Sequence, residues 1–339
     1  MYEDSYGLNL KPFSMSADPR FLYLTAQHRE AATGLIFAVL KRKGMMTLTG
    51  AAGTGKTTVL RAVLSAIGSA SVDVAYVPVP TLTPAEFFEF VLLQFGLLST
   101  AHSNKAERLL LFERFLLNSR QNNRTAVLIV DEAHKLSKEL LEEIRLLTNF
   151  DSRQGSLIQM VLAGQCELDD LLRQGDMYQL KQRIAYRFSL KSLDQAEIQQ
   201  YIAHRWTRAG GASDPPFEED AVRAVAQYSH GIPRLVNAIC DNALVMAFAD
   251  NEAVVRAGTV YEAARDLDLA GADHGLPLNG SGEAKVDIDD LELLTLATTA
   301  ATENAVPILE RKEAARRESW LVRSARKLLL AERPVHSHE

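Results

Sequence analysis

The sequence has few cysteines, no long apolar run and no excess of positive charge. Its 339 residues include only two cysteines, Cys166 and Cys240, which excludes a disulfide-stapled scaffold and predicts a reduced, cytoplasmic protein. No signal-peptide pattern opens the chain, and no stretch approaches the roughly 18 consecutive apolar residues of a membrane span. The formal net charge of -6 argues against a large nucleic-acid-binding surface.

Short apolar segments alternate with helical patterns over the first 190 residues. Such alternation predicts an α/β fold with a parallel sheet that helices cover on both faces. The predicted strands lie near residues 45–49, 72–77, 126–130, 157–163 and 187–190. The helical patterns between and before them cover residues 30–40, 57–67, 84–95, 105–119 and 137–147.

After residue 190 only helical patterns remain, over residues 194–209, 218–229, 233–249 and 258–267. This change predicts a second, small all-α domain. A Gly-rich break then separates it from a helical pattern over residues 307–333. We therefore predict a sheet domain over residues 1–191, a helical domain over 192–268, and a linker with a C-terminal tail over 269–339.

One segment fits the phosphate-binding loop G-x-x-x-x-G-K-[ST], and it follows a predicted strand and opens a predicted helix. Its glycines let backbone N–H groups point at phosphate oxygens, and the helix N-terminus adds partial positive charge. We expect Lys56 to reach the β- and γ-phosphates of ATP, and the Thr57 hydroxyl to ligate Mg²⁺. The predicted nucleotide-binding residues of the segment are Gly50, Ala51, Ala52, Gly53, Thr54, Gly55, Lys56, Thr57 and Thr58.

Two carboxylates follow the apolar strand at residues 127–130. Ligands bind at the carboxyl ends of strands in open α/β sheets, so Asp131 and Glu132 are expected beside the loop. Asp131 is predicted to hold Mg²⁺ together with Thr57, and Glu132 to orient and polarise the attacking water. The alternative is that both acids only stabilise the N-terminus of the following helix through its dipole.

Four further polar residues are candidates for contact with the nucleotide. Gln165 ends the strand at 157–163 and could hydrogen-bond the γ-phosphate or the attacking water, or be a simple loop residue. Arg183 or Arg187 could reach the nucleotide of a neighbouring subunit, or form surface ion pairs. Arg234 begins a helix, where positive charge is unfavourable unless something anionic compensates it.

The motifs together resemble the ExeA/GspA-type AAA+ ATPases of general secretion, with an ORC/Cdc6-like lid. The resemblance covers roughly residues 1–268, and the opening motif is its more specific part. The segments that carry it are 6–8, 11–13, 18–21, 50–57, 127–132, 162–165, 182–184, 231–237 and 240–244.

The resemblance implies an AAA+ core with a helical lid, ATP hydrolysis, and a homo-oligomer, a ring or filament, that completes the site. The implied function is assembly or remodelling of a secretion- or export-type protein complex. The alternative is an ATP-gated DNA-binding regulator of the kind associated with transposition, for which DNA would be the partner. Salt-dependent DNA binding in the presence of ATP would separate the two.

The predicted tail is locally basic. Residues 310–333 contain eight basic and four acidic side chains, with Trp320 and several leucines among them. This pattern is typical of a helix that contacts an anionic membrane surface or a partner protein. It also fits a solvated helix that packs on its own domain.

Overall fold

The structure is a computed structural model. It describes residues 2–15, 18–68, 72–78, 81–97, 104–152, 155–212 and 214–269. The linker and tail predicted over 269–339 lie outside these ranges beyond Leu269. No helix in the described ranges has both the length and the apolar character needed to cross a lipid bilayer.

A five-stranded parallel sheet forms the centre of the first domain, as the sequence predicted. Its order is β2-β3-β6-β1-β7, so the two strands that carry the candidate phosphate-binding and acidic motifs flank β6. A short antiparallel pair, β4 and β5, precedes β6. The strands are β1 Met45–Gly50, β2 Val72–Val77, β3 Thr125–Val130, β4 Asp151–Ser152, β5 Gly155–Ser156, β6 Ile158–Gly164 and β7 Ile184–Leu190.

Helices cover both faces of the sheet. Helices α2 and α3 pack on one face through Leu35 and Leu60, and α4, α5 and α6 pack on the other through Phe87, Phe112 and Ile144. One-turn 3-10 helices lie in the loops at Pro19–Phe21, Ala133–Lys135 and Gly175–Met177. The α-helices are α1 Tyr2–Ser5, α2 Ala26–Leu40, α3 Lys56–Ile67, α4 Pro84–Gln94, α5 Lys105–Gln121, α6 Lys138–Leu147, α7 Glu167–Arg173, α8 Tyr178–Arg183, α9 Gln195–Arg208, α10 Glu219–Ser229, α11 Pro233–Ala249 and α12 Ala257–Asp266.

Local sequence explains where several helices begin. In α4, the Thr83 side chain accepts from the backbone of Glu86, and the Glu86 carboxylate accepts from the backbone of Thr83. The same reciprocal capping starts α5 and α9. Each such cap stabilises the helix by about 1 kcal/mol because it satisfies N–H groups that have no intrahelical partner.

The edge strand β7 differs from its predicted extent. It begins at Ile184, three residues before the predicted start, and its side chains alternate between half-buried and exposed positions. An edge strand has one solvated face, so its first half lacks the continuous apolar run used to predict buried strands. The short helices α7 and α8 were also not predicted, because six or seven residues carry too little periodicity.

The helical domain contains α9 to α12, but the opening segment of the chain completes its core. Tyr2, Leu8 and Phe13 are buried among residues of these helices. The Arg205 guanidinium on α9 donates to the Pro12 carbonyl at 2.6 Å. The division predicted from sequence assigned residues 1–191 to the sheet domain, whereas the first residues pack with the helical domain.

Candidate nucleotide-binding site

The loop between β1 and α3 curls around the Lys56 ammonium group. Gly53 and Gly55 have φ of 81° and 98°, a backbone conformation that glycine adopts without steric cost. Lys56 Nζ donates to the carbonyls of Gly50 and Ala51 at 2.8 and 2.9 Å. Burial lowers the pKa of Lys56, opposed by the nearby charges of Glu132 and Asp131. A largely buried ammonium that contacts only carbonyls is well placed to exchange them for an anion.

Asp131 lies directly against the first turn of α3. It follows β3, and its carboxylate accepts from the Thr57 hydroxyl at 2.9 Å and from the Tyr76 hydroxyl at 2.7 Å. A third donor is the backbone N–H of Glu132, at 2.9 Å. Burial and this contact with Asp131 raise the pKa of Tyr76. Tyr76 therefore stays a neutral donor that orients the Asp131 carboxylate, a role that the sequence did not suggest.

Glu132 has an unusual backbone conformation for its residue type. Its φ of 53° places it in the left-handed region, where residues other than glycine are uncommon. The Glu132 side chain is half-buried, and its carboxylate lies 3.2 Å from Lys135 Nζ and 3.6 Å from His134 Nε2. Such outliers concentrate at functional sites.

Gln165 is half-buried at the end of β6. Because Gly164 is paired with Thr49, Gln165 lies level with the start of the loop. The backbone N–H of Gln165 donates to His134 Nδ1 at 3.2 Å, and the side-chain amide nitrogen of Gln165 is placed 3.1 Å from Nε2 of the same ring. The structure thus brings Gln165 to the same edge of the sheet as the two acids.

The donor set fits a hard divalent cation that also has oxygen ligands from phosphate and water. Thr57 and Asp131 present adjacent oxygen atoms, the ligand type that Mg²⁺ prefers. Among the described residues, no group of three or more His, Cys, Asp or Glu side chains could hold a metal ion without other ligands. Mg²⁺ commonly binds in this way, through one or two protein groups and the phosphates of its substrate.

The helical domain contacts the loop through the start of α11. A Cβ placed on Gly53 would lie 2.9 Å from Ile232 Cγ2 and 3.0 Å from Arg234 Cβ, so only glycine fits there. Arg234 is exposed, and no carboxylate in the described part of the chain pairs with it. The exposed Arg234 side chain therefore begins beside the loop.

The two remaining arginines do not lie at this site. Arg183 precedes β7 and lies at the amino ends of the strands, whereas the loop lies at their carboxyl ends. The length of β7, at about 3.3 Å per residue, separates them by roughly 20 Å. Arg183 donates to Asn149 Oδ1 at 3.1 Å and lines a cavity of about 330 Å³ with Lys43 and Asp151. Arg187 lies in the middle of β7 and pairs with Asp169 at 3.7 Å.

Ala52 is exposed at the tip of the loop, and Thr58 lies in the first turn of α3. The sequence missed one residue that touches this loop, His28 on α2. Its Nε2 lies 2.8 Å from the Thr54 carbonyl, so it carries the proton and donates, while Nδ1 accepts from the Thr25 hydroxyl at 2.7 Å. Burial lowers the pKa of His28, which keeps this neutral form. No local motif marks His28, because its partner is 26 residues away.

Comparison with known proteins supports the fold and the family. A family described as "AAA domain" matches residues 39–172. General secretion pathway protein A of Aeromonas hydrophila is 36% identical over 270 residues, which are 79% of this chain and 48% of that protein. The chain therefore spans about half the length of this relative.

Solved structures with the same fold include a Cdc6p protein and an ORC2 protein. Cdc6p of Pyrobaculum aerophilum has a TM-score of 0.59 at 17% identity, over 78% of this chain and 75% of its own. The ORC2 protein of Aeropyrum pernix, solved as ADPNP-ADP complexes, has a TM-score of 0.56 at 17% identity, over 84% and 74%.

These likenesses extend across both the sheet domain and the helical domain. General secretion pathway protein A is similar in sequence, and Cdc6p and ORC2 share the fold. The chain belongs to the AAA+ ATPases, in the group represented by general secretion pathway protein A.

Proposed function

We propose that the chain binds Mg-ATP at the loop of residues 50–57 and hydrolyses it. One observation carries the proposal: Thr57 on the loop helix and Asp131 at the end of β3 are in direct contact, with Glu132 next in the chain. Cation ligands and a carboxylate base thus lie beside a phosphate-binding backbone. Phosphoryl transfer requires positioning and charge neutralisation more than covalent catalysis, and these groups provide both.

The loop residues bind and orient the triphosphate. On binding, the Lys56 ammonium exchanges the carbonyls of Gly50 and Ala51 for oxygens of the β- and γ-phosphates. Backbone N–H groups at the start of α3 contribute their partial positive charge. Arg234 adds positive charge from the helical domain. Thr57 and Asp131 would hold Mg²⁺, which neutralises negative charge on the phosphates when bound.

Glu132 is the proposed base. The Glu132 carboxylate orients a water molecule and accepts its proton as the water oxygen bonds to the γ-phosphorus. The bond from that phosphorus to the bridging oxygen breaks, and the products are ADP and inorganic phosphate. To hold the water, the Glu132 carboxylate must first leave Lys135, whose Nζ lies 3.2 Å away.

The proposed site is shared between subunits of a homo-oligomer. Arg183 is too far from the loop of its own chain to reach the nucleotide there. It is exposed at the other edge of the sheet, where a neighbouring copy could receive it. A guanidinium from that copy would stabilise charge in the transition state. We place Arg183 in this role and Arg187 in second place; each forms one ion pair within the chain, with Asp151 at 3.6 Å and with Asp169 at 3.7 Å.

We propose that hydrolysis drives assembly or remodelling of a secretion- or export-type protein complex. The support is the sequence likeness to general secretion pathway protein A, of which this chain spans about half. In this proposal, the oligomer recognises the secretion- or export-type complex. Contact of the basic tail with an anionic membrane surface stays a prediction.

Turnover measured against protein concentration tests the proposal. A shared site requires neighbouring copies, so the ATPase rate per subunit should rise steeply as oligomers form and then reach a plateau. A rate per subunit that is constant from dilute to concentrated protein would contradict the shared site. Absence of turnover at every concentration, with Mg²⁺ present, would contradict hydrolysis itself.

DNA binding is a second candidate, for which the fold gives the reason. The Drosophila ORC bound to DNA shares the fold at a TM-score of 0.57 and 19% identity, over 76% of this chain and 64% of its own. Lys41 and Lys43 are exposed and could contribute to a basic surface in an oligomer. Binding of duplex DNA that requires ATP and weakens with salt would favour this function. Binding that is absent at low salt would exclude it.

A further inference from the structure

His134 joins two chain segments that end at the same edge of the sheet. It lies in the 3-10 helix Ala133–Lys135 after β3, and both of its ring nitrogens face Gln165 after β6, at 3.2 and 3.1 Å. The segments approach closely because Gly164 has no side chain. A Cβ on Gly164 would lie 3.0 Å from the backbone nitrogen of His134. His134 therefore contacts Gln165 twice, once through the backbone and once through the side chain.

The two contacts fix which imidazole nitrogen carries the proton. Nδ1 of His134 faces the backbone N–H of Gln165, and two donors cannot face each other, so Nδ1 is unprotonated. In a neutral imidazole the proton is then on Nε2. The amide nitrogen of Gln165 is the atom placed 3.1 Å from Nε2, which would again set two donors face to face. The amide is therefore turned by about 180°, which exchanges its nitrogen and oxygen, because it can accept only through its oxygen.

The orientation of the Gln165 amide follows. With its oxygen toward His134, its NH₂ group points away from the ring, and both N–H bonds are free to donate. Glu132 does not compete for the imidazole proton, since its carboxylate lies 3.6 Å from Nε2, beyond hydrogen-bond distance. That carboxylate pairs with Lys135 at 3.2 Å instead.

We propose that His134 is a positioning residue that holds the Gln165 amide with its NH₂ group toward the γ-phosphate. The inference rests on the proposed function, because only bound ATP brings a γ-phosphate to this edge of the sheet. Without His134, the amide could present either its oxygen or its NH₂ group. The oxygen would repel a phosphate, so a free amide would discriminate poorly between ATP and ADP.

Two substitutions separate this role from a merely structural one. In His134→Asn, the amide oxygen takes the place of Nδ1 and keeps the contact with the Gln165 backbone, but the Nε2 donor is lost. In His134→Gln, the amide nitrogen reaches the place of Nε2 and keeps the donor, but the backbone contact is lost. A structural role predicts that Asn is the better replacement, and the positioning role predicts Gln.

The experiment is equilibrium binding of ADP and of the non-hydrolysable analogue AMP-PNP, each with Mg²⁺, to the full chain. The readout is the ratio of the two affinities in the wild type, in both His134 variants and in Gln165→Leu. One hydrogen bond to a charged phosphate corresponds to about a tenfold preference. We expect Gln165→Leu and His134→Asn to lose that preference, and His134→Gln to keep most of it.

The outcomes distinguish the inference from the proposed function. If Gln165→Leu loses the preference and His134→Asn keeps it, the positioning role is refuted while the role of Gln165 stands. If Gln165→Leu also keeps the preference, Gln165 does not contact the γ-phosphate, and the inference fails with that part of the site. Because the readout is binding, it is independent of whether the wild type turns over. Thermal melting identifies a variant that fails to fold, and the other His134 variant then decides.

Discussion

The carboxyl ends of the strands form one edge of the central sheet, the carboxyl edge, and their amino ends form the amino edge. The two edges differ in the contacts that their polar residues make within the chain. At the carboxyl edge, Lys56, Asp131 and Gln165 all have short contacts within the chain, from 2.8 to 3.2 Å. At the amino edge, Arg183 is exposed, although it donates to Asn149 Oδ1 at 3.1 Å and pairs with Asp151 at 3.6 Å. One edge thus contains the proposed nucleotide site, and the other presents an exposed cation. In the proposed oligomer, the carboxyl edge of a second copy would receive the amino edge of the first.

The largest effect should come from removing the ammonium group of Lys56 in the loop. Lys56→Ala should weaken ATP binding on the order of 1000-fold, because a buried charge partner of the phosphates is lost. Titration with a fluorescent ATP analogue measures this effect. The matched control is Lys43→Ala at the amino edge, which should bind ATP as the wild type does. An unchanged affinity in Lys56→Ala would contradict the loop assignment.

Removing the Arg183 guanidinium at the amino edge should lower ATPase turnover and leave ATP binding unchanged. We expect Arg183→Ala to reduce kcat about 1000-fold, the scale of an arginine supplied by a neighbouring subunit. Arg187→Ala, at the second-placed arginine, should lose less than about fivefold, the scale of an exposed ion pair such as the one with Asp169.

Mixing the inactive subunits tests the shared site directly. Arg183→Ala subunits retain Lys56, and Lys56→Ala subunits retain Arg183, so mixed oligomers should contain some complete sites. Turnover should reach a maximum at an intermediate ratio of the two variants. If no ratio restores activity, the two edges do not meet across a subunit interface.

Replacing the proposed base should separate binding from catalysis within the carboxyl edge. Glu132→Gln should bind ATP normally while kcat falls about 100-fold, the usual contribution of a positioned base. Single-turnover kinetics measure the hydrolysis step. Glu142→Gln is a suitable control, since Glu142 pairs with Arg145 on the surface of α6. Wild-type turnover in Glu132→Gln would remove Glu132 from the mechanism.

The smallest effect should come from removing the hydrogen bond between His28 and the loop of residues 50–57. His28→Ala removes the donor to the Thr54 carbonyl and should weaken binding of both ATP and ADP about fivefold. His28→Gln can place its amide nitrogen near Nε2 and should recover most of the affinity. Equal affinities in all three proteins would show that the loop holds its shape without this contact.

The sequence predicts best where structure follows from neighbouring residues. The loop at residues 50–57 is a local motif between a strand and a helix, and Asp131 and Gln165 follow strands whose order a parallel sheet restricts. The fold class and the family follow from the same local patterns. The expected contacts of these side chains with a nucleotide remain predictions.

Contacts between distant segments were not predictable in this way. His28 and Tyr76 are each remote in sequence from the partners they orient, and neither lies in a motif. The association of Phe13 with the helical domain was missed for the same reason, since apolar residues in a turn-rich segment do not indicate which core they join. The periodicity of apolar residues indicates which face of a helix or strand is buried, but not which other element packs against that face.

The packing of the opening segment on the helical domain has a consequence for folding during synthesis. Pro12 is bound by Arg205, 193 residues later, and Tyr6 donates to the Glu252 carbonyl, 246 residues later. At about 5–20 residues per second, a ribosome needs roughly 10–40 s to add the roughly 200 residues that separate Pro12 from Arg205. During that interval the helices that bury the first apolar side chains have not been synthesised, so these side chains are available to a chaperone.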